Sequence, residues 1–489
     1  MRKTIVVFIL LFISVSNLRA QKIKTELDRY FSALAENKQF NGNVLISENG
    51  KVIYRKSFGY ADFSAKRNNT SNSSFPIASI TKTFTSTAIL QLIEKGKLKL
   101  DDPAAKYLSD FPFKEVTIKQ LLSHTAGLPI YDSLFFPIIA KRPDAVFTNK
   151  DLIPAMISQK LPLIFKSGDD FSYNNVNYNI LALIIEKISG LSYGAYLQKN
   201  IFGPAAMKDT SLSKFFKRVD KNLSKRYVVK YPYSEELQKA ETVEEFKIAE
   251  HFDFQGHGDL ISTCEDLLKY DAALYNGKLL KDSSLKLAYT PVLLTNGNDN
   301  IQRYALGWIT REDTSMGEIV KHDGGIPGGR TMLLRNLTKH QTIILFDNTA
   351  NNVIPISDNA LTILNGGKVD KPKKSVAKVY GIALAEKGIE AGENILKKIK
   401  KDPLNYYISE GEINSLGYAL MFNDKENEAE NAFKQNTILF PKSWNTYDSY
   451  GEILLKRGKK EDAVKMYRKS IELNPDNENG KRILEKIAG

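Results

Sequence analysis

Three short sequence elements contain the groups needed for acyl transfer through a serine nucleophile. In chain order they are Ser79-Ile80-Thr81-Lys82, Tyr173-Asn174-Asn175 and His322-Asp323-Gly324-Gly325. A serine hydroxyl becomes a strong nucleophile when a neighbouring base accepts its proton. A lysine amine can be that base if partial desolvation lowers its pKa. The first question is therefore whether the surrounding sequence places these groups together.

The Ser-x-x-Lys spacing has no meaning by itself, because it occurs four times, at Ser79, Ser211, Ser283 and Ser375. The first follows Pro76 and opens an apolar helical stripe (residues 80, 84, 88 and 92). On a helix, positions i and i+3 share a face, so the Ser79 hydroxyl and the Lys82 amine come within reach of each other. The helix start also favours negative charge on the serine oxygen. The simpler alternative is a helix-capping serine and a solvated lysine.

The second and third elements supply the remaining groups for this chemistry. Tyr173 is expected in a polar turn before an apolar helix, where its hydroxyl could pass protons to the leaving group and activate the deacylating water. Gly325 is expected in a glycine-rich turn that follows a strand ending at His322, where its backbone N–H can approach a ligand closely. The N–H groups of Ser79 and Gly325 would then stabilise the oxyanion. This chemistry requires no metal and no cofactor, and we expect neither.

The elements that must position these residues predict an α+β domain. Asn49-Gly50 between two alternating segments is a strong signal for a β-hairpin. Strands are predicted again at residues 304–310, 318–322, 331–335 and 342–346, followed by a helix at 353–365. The segment 75–280 is mostly helical. We therefore expect an antiparallel sheet flanked by helices with an inserted helical subdomain, built from residues 21–365.

The first 20 residues resemble a secretory signal: Arg2 and Lys3 precede a nine-residue apolar run. Such a run is too short to span a bilayer, so we expect a periplasmic or secreted protein with no stable membrane span after signal cleavage. An uncleaved anchor is the alternative. The single cysteine, Cys264, excludes an intramolecular disulfide. The net charge of +13 is spread along the 489 residues, which does not favour a nucleic-acid groove, and we expect no nucleic-acid partner.

The C-terminal part contains a 34-residue period. After a charged linker (residues 366–375), small, aromatic and proline positions recur in register: Gly417 and Gly451, Ala429 and Ala463, Phe433 and Tyr467, Pro441 and Pro475. This is the tetratricopeptide pattern of paired helices, so residues 376–489 are predicted to form an all-α repeat region. Two unrelated helical hairpins are the alternative. Such repeats commonly bind a protein or peptide partner.

The three elements together resemble the serine β-lactamase and penicillin-binding family, in its class C and D-alanyl-D-alanine carboxypeptidase-like esterase branch. The resemblance covers about residues 25–365. Residues 121–129 (LLSHTAGLP) resemble the family's LLSHTSGLP segment, and residues 171–190 and 256–266 resemble two further family segments. The resemblance implies that Ser79 is the nucleophile, that Lys82 and Tyr173 transfer protons, and that Asn175 binds substrate and Lys82. It also implies that His322 and Gly324 line the substrate site and that Gly325 is the second oxyanion donor.

One residue departs from the family pattern. The third element usually has threonine in the middle position, where its hydroxyl helps to hold a substrate carboxylate, and this chain has Asp323. A carboxylate at that place repels a substrate carboxylate, unless Arg330 or His322 compensates its charge. The resemblance therefore implies acyl-enzyme chemistry more strongly than a preference for penicillins.

The sequence is compatible with several functions. The first interpretation is an exported serine hydrolase acting on an ester, amide or peptide through an acyl-enzyme at Ser79. A β-lactamase or a D-alanyl-D-alanine carboxypeptidase acting on peptidoglycan peptides is an alternative, and a non-catalytic peptide- or peptidoglycan-binding sensor is another. A competing nucleophile, Ser192 in Gly-Leu-Ser-Tyr-Gly, would require a preceding strand, and a helix is predicted there instead.

Overall fold

The computed structural model describes residues 2–212, 221–313 and 315–488, with the side chains of residues 19–212, 221–313 and 315–487. These residues form two compact units. The first contains the chain up to Val228 together with Lys239–Val369, and the second contains Val229–Gln238 together with the chain from Asp370. The predicted leader precedes residue 21, where few side chains are described, and it stays a prediction.

Among the described residues up to 347, six strands have five or more residues, and the other strands have two or three. In chain order the strands are β1 (Gly42–Glu48), β2 (Lys51–Phe58), β3 (Tyr60–Asp62), β4 (Arg67–Asn68), β5 (Phe75–Pro76), β6 (Phe147–Thr148), β7 (Ser211–Leu212), β8 (Tyr227–Val229), β9 (Leu237–Lys239), β10 (Phe252–Asp253), β11 (Leu260–Ser262), β12 (Ile309–Asp313), β13 (Gly317–Ile326), β14 (Gly329–Asn336) and β15 (Gln341–Asp347).

The helices of the first unit fall mainly between β2 and β12. They are α1 (Arg2–Glu36), α2 (Thr81–Glu94), α3 (Ile118–Leu122), α4 (Tyr131–Ile139), α5 (Asn149–Gln159), α6 (Asn175–Ser189), α7 (Tyr193–Leu197), α8 (Cys264–Tyr275), α9 (Asp282–Tyr289) and α10 (Val353–Leu364). Shorter 3₁₀ turns cover Ala78–Ile80, Ala104–Lys106, Ala240–Thr242 and Glu244–His251.

The main sheet has six strands in the order β12-β13-β14-β15-β1-β2, and every pair is antiparallel. Because side chains alternate along a strand, the two faces carry different cores. Leu333 and Ile344 belong to the core shared with α2, α6 and α8, whereas Leu334 and Ile343 belong to the core shared with α1 and α10. The predicted α+β class, with its antiparallel sheet and intervening helices, is confirmed.

One predicted strand is shorter in the structure. Residues 304–310 were expected to be extended, but the strand begins at Ile309. The Asn300 side chain ties the carbonyl of Tyr304 into a turn, and Gly307 has a φ of 86°. A Cβ at Gly307 would lie 2.7 Å from the Cβ of Ser86, so this turn is packed against α2. Close packing, rather than strand propensity, decides the local conformation.

The second unit is helical. Its elements are β16 (Lys374–Ser375), α11 (Val376–Lys387), α12 (Ile389–Ile399), β17 (Tyr406–Tyr407), α13 (Glu410–Phe422), α14 (Glu426–Leu439), α15 (Trp444–Lys456), α16 (Lys460–Leu473) and α17 (Glu478–Ala488). The 34-residue period places glycines where helices touch: a Cβ at Gly417 would lie 2.6 Å from the Phe433 ring, and one at Gly451 would lie 3.0 Å from the Tyr467 ring. The predicted all-helical C-terminal region is confirmed.

Ten residues from the middle of the sequence also belong to the second unit. The β8–β9 hairpin has its tip at Val229–Gln238, and Tyr233 in this tip is only 4% exposed. It packs in one apolar cluster with Tyr380 and Leu416. Over the described part of the chain, no single helix is long and apolar enough to cross a membrane, although the bent pair α6 and Tyr193–Phe202 passes by length and composition.

Candidate active site

The candidate nucleophile lies in a strained turn at the start of α2. Ser79 occupies the 3₁₀ turn that precedes this helix, and Ala78 before it has a φ of 47°. A non-glycine residue in the left-handed region costs on the order of 1 kcal/mol or more and needs support from its surroundings. The hydroxyl of Thr331, on β14, donates a hydrogen bond of 2.9 Å to the carbonyl of Ile77 and provides part of that support.

The amine of Lys82 lies directly beside the candidate nucleophile. Its Nζ is 3.0 Å from Oγ of Ser79, and it donates to Oδ1 of Asn175 at 2.8 Å and to the carbonyl of His257 at 2.9 Å. The side chain is completely buried. The first and second sequence elements are therefore brought together around one nitrogen atom.

Burial sets the ionisation of this amine. Loss of hydration lowers the pKa of Lys82 well below its usual value, and the carboxylates of Asp259 and Asp323 oppose that shift. A lowered lysine pKa increases the fraction of the neutral amine, which has a lone pair for the serine proton. The Asp259 carboxylate accepts the N–H of Gly256 at 2.7 Å, and this bond closes the loop that presents the His257 carbonyl to Lys82.

Tyr173 lies near the candidate nucleophile, next to Lys82. Nζ of Lys82 lies 4.7 Å from the centre of the Tyr173 ring. Desolvation raises the pKa of Tyr173 well above its usual value, and interaction with the Ser79 side chain only partly opposes that shift, so the resting group is a phenol. Asn174 caps α6 by accepting the N–H of Val176, which fixes Tyr173 immediately before the helix. The neutral amine of Lys82 and the phenol of Tyr173, both beside Ser79, can act together as a base and an acid.

The third element lies on β13 against the nucleophile turn. A Cβ at Gly324 would lie 2.4 Å from the carbonyl oxygen of Ile77, so only glycine fits there. Strand β12 pairs with β13 only as far as Lys321, which leaves the edge from His322 to Ile326 outside that ladder. Gly325 lies on this edge and is exposed. Its assignment as an oxyanion donor remains a prediction that this position supports.

His322 is buried and has both ring nitrogens engaged. Nδ1 lies 2.7 Å from the carbonyl oxygen of Asp323, which can only accept, so this nitrogen carries the proton. Nε2 then accepts the hydroxyl of Tyr304 at 2.9 Å. Burial lowers the pKa of His322, which favours this neutral form. A contact between His322 and substrate would have to replace one of these bonds.

Asp323 is half-buried, and its negative charge reaches the centre of the site. It opposes the lowering of the Lys82 pKa and contributes to the raised pKa of Tyr173. A negative charge near Ser79 would raise the pKa of both neighbouring groups in this way. The Asp323 charge therefore lies within electrostatic range of Lys82 and Tyr173.

Three further residues hold the site in place, and the sequence indicated only His124, as a structural hydrogen-bonding residue. Tyr304 holds His322, the His257 carbonyl holds Lys82, and His124 holds the turn before α6 by accepting the N–H of Asn174 at 3.1 Å. His124 packs against the ring of Tyr173 with 4.3 Å between ring centres. Only His124 had a sequence signal, the LLSHTAGLP segment, whereas a backbone carbonyl leaves none. Among the described side chains, no group of three His, Cys, Asp or Glu residues could hold a metal ion.

Ser192, the competing serine, has a structural role. Helix α6 ends before it, with Gly190 in the left-handed conformation, and the Ser192 hydroxyl accepts the N–H of Ala195 at the start of α7. No strand precedes it, so the nucleophile-elbow geometry is not present at this serine.

Comparison with known proteins agrees with this architecture. The β-lactamase family model matches residues 27–364, and a tetratricopeptide repeat model matches residues 445–477. The chain is 36% identical over 332 residues to penicillin-binding protein 4* of Bacillus subtilis, covering 67% of this chain and 72% of that protein.

Solved structures show the same fold. The octameric penicillin-binding protein homologue of Pyrococcus abyssi has a TM-score of 0.58 and 26% identity, covering 70% of this chain and 78% of that one. A D-stereospecific amidohydrolase of Streptomyces has a TM-score of 0.55 and 22% identity, covering 70% of this chain and 99% of that one. The chain belongs to the β-lactamase family of serine hydrolases and penicillin-binding proteins and carries a C-terminal tetratricopeptide repeat.

Proposed function

We propose that this protein is an exported serine hydrolase that forms an acyl-enzyme at Ser79 and hydrolyses a neutral ester or amide. The observation that carries the proposal is the arrangement around Ser79, where Nζ of Lys82 lies 3.0 Å from Oγ and 4.7 Å from the centre of the Tyr173 ring. A protein that only binds peptides does not require an acid and a base beside one half-buried serine. The leader at residues 1–20 supports export to the periplasm or the medium.

In the acylation step, the neutral Lys82 amine accepts the proton of Ser79 while Oγ attacks the acyl carbon. The oxyanion that forms accepts hydrogen bonds from the N–H groups of Ser79 and Gly325. When the bond to the leaving group breaks, Tyr173 donates its proton to that group. The acyl-enzyme then faces a lysine ammonium and a tyrosine phenolate, whose opposite charges stabilise each other.

In the deacylation step, the Tyr173 phenolate takes a proton from water as the water oxygen attacks the acyl carbon. Lys82 returns its proton to Oγ of Ser79, and the acid product leaves. Both groups regain their resting forms, so one turnover consumes one water and no other reactant.

The charge of Asp323 supports a preference for neutral acyl donors over penicillins and other substrates that carry a carboxylate. Its charge lies near the nucleophile, and a substrate carboxylate in that region would be repelled. Activity on peptidoglycan peptides or β-lactams is therefore the second candidate, and the comparison that favours it is the 36% identity to a penicillin-binding protein.

A fluorophosphonate probe tests the assignment of the nucleophile. We expect the wild-type protein and the Ser192→Ala variant to be labelled and to hydrolyse p-nitrophenyl esters, and the Ser79→Ala variant to do neither. Circular dichroism shows whether each variant is folded. Labelling of folded Ser79→Ala, or loss of turnover in folded Ser192→Ala, would contradict the assignment.

A further inference from the structure

An apolar cavity lies beside the candidate active site in the first unit. Its volume is about 180 Å³. Its lining includes His257, whose carbonyl holds Lys82, and Ile326, the residue after Gly325. We infer that this cavity binds one aromatic ring on the acyl part of the substrate. This inference rests on the proposed acyl-enzyme function and names the class of substrate.

The walls of the cavity suit a flat apolar ring. Tyr131, Phe252 and Phe254 form a stack with ring centres 4.8–5.6 Å apart and planes within about 21° of one another. Phe246 and Ile326 add apolar surface. An engineered cavity of about 150 Å³ in another protein is large enough for benzene. A cavity of about 180 Å³ therefore has room for a single ring.

The walls are fixed by polar contacts outside the apolar surface. The hydroxyl of Tyr131 donates to the side-chain carbonyl of Asn179, and the Asn179 amide donates to Nδ1 of His257 at 2.9 Å. On the opposite wall, Arg226 donates to the carbonyl of Pro327 at 2.9 Å. The cavity is thus formed before a ligand binds, which reduces the ordering cost of binding.

The position of the cavity assigns it to the acyl side of the scissile bond. Tyr173, which protonates the leaving group in the proposed mechanism, does not line it. The lining includes the two residues that follow the candidate oxyanion donor Gly325. A carbonyl carbon attached to Ser79 has its oxyanion on one side and its leaving group on another. We assign the cavity to the remaining substituent because its lining includes both the neighbours of Gly325 and the residue whose carbonyl holds Lys82.

The charges around the cavity favour a neutral ring. Glu241 and Glu250 are exposed at its rim, and Arg226 is the cation in the lining. Since the Arg226 side chain already donates to Pro327 and interacts electrostatically with Glu241, it is not an open site for an anion. We therefore expect phenylacetyl-type acyl groups to be preferred over acyl groups that end in a carboxylate.

Esters with one leaving group and different acyl groups test this inference. We compare kcat/KM for p-nitrophenyl phenylacetate and p-nitrophenyl acetate, each divided by its spontaneous hydrolysis rate, with full-length protein. The expected preference for the phenylacetyl ester is about tenfold or more, as for other well-fitted apolar groups. A ratio near one would overturn the inference while leaving the serine mechanism intact. Absence of turnover on both esters would instead contradict the proposed function.

A pair of adjacent substitutions provides the control. Ala249 lines the cavity and is exposed, so Ala249→Trp fills the entrance without disturbing the core. Ile248 lies on the same 3₁₀ turn and does not line the cavity. We expect Ala249→Trp to lower the phenylacetyl-to-acetyl ratio about tenfold and Ile248→Trp to leave the ratio unchanged. An equal ratio in both variants would place the ring elsewhere.

Discussion

Neutralising Asp323 is expected to change which substrates the protein accepts. The substitution Asp323→Asn removes the charge and keeps the shape of the side chain. Two unit charges 4 Å apart interact by about 4 kcal/mol at an effective dielectric constant of 20. Asp323 is half-buried, and solvent screens it, so we expect about 1–2 kcal/mol of repulsion toward a substrate carboxylate. That energy corresponds to about 5- to 30-fold in kcat/KM.

The assay is the ratio of kcat/KM for nitrocefin, which carries a carboxylate, to kcat/KM for neutral p-nitrophenyl acetate. We expect this ratio to rise about 5- to 30-fold in Asp323→Asn. Glu318→Gln removes an exposed carboxylate from the same strand at its opposite end and is the matched control. A ratio that is the same in wild type, Asp323→Asn and Glu318→Gln would refute the placement of the Asp323 charge beside the substrate.

The same variant has a second readout in its pH profile. The Asp323 charge raises the pKa of Lys82, so its removal lowers that pKa further. If neutral Lys82 is the base, kcat/KM for p-nitrophenyl acetate rises with pH through the Lys82 pKa of the free protein. The acidic limb should therefore move to lower pH in Asp323→Asn. A shift to higher pH would contradict the role of Lys82 as the base.

Two further substitutions test the supports of the site. Gly324→Ala should lower kcat about 100-fold or more with little change in circular dichroism. The new Cβ would lie 2.4 Å from the carbonyl oxygen of Ile77 and would displace the turn that carries Ser79. A near-wild-type kcat would contradict this close approach. Burial raises the pKa of Asp259 to about 7, so the folded protein holds this proton more tightly than the unfolded chain, and stability falls as pH rises from about 4 to 7. Between pH 5 and 7.5 this loss amounts to about 2–3 kcal/mol, and Asp259→Asn should remove it, as measured by urea unfolding at the two pH values. An unchanged pH dependence would exclude Asp259 as its source.

The sheet and the central pair of the site were predictable because they depend on local periodicity. Alternating apolar residues on either side of Asn49-Gly50 specify the hairpin of β1 and β2, and Ser79 and Lys82 are one helical turn apart. The His257 carbonyl was not predictable, since any residue has a carbonyl and only the Asp259 loop aims this one. Tyr304 was assigned to a strand because its neighbours favour extended structure, while contacts with Asn300 and His322 hold it in a turn.

The hairpin tip that belongs to the second unit affects how this protein can be made and divided. Tyr233 is synthesised long before Tyr380 and Leu416, the residues that bury it, so the tip has no complete apolar cluster until the last part of the chain emerges. The repeats also lack part of their own core unless the earlier segment is present. They are therefore not an interchangeable module: grafting them onto another hydrolase would leave a gap where Tyr233 packs, and cutting one peptide bond near residue 370 would not free them from the hairpin.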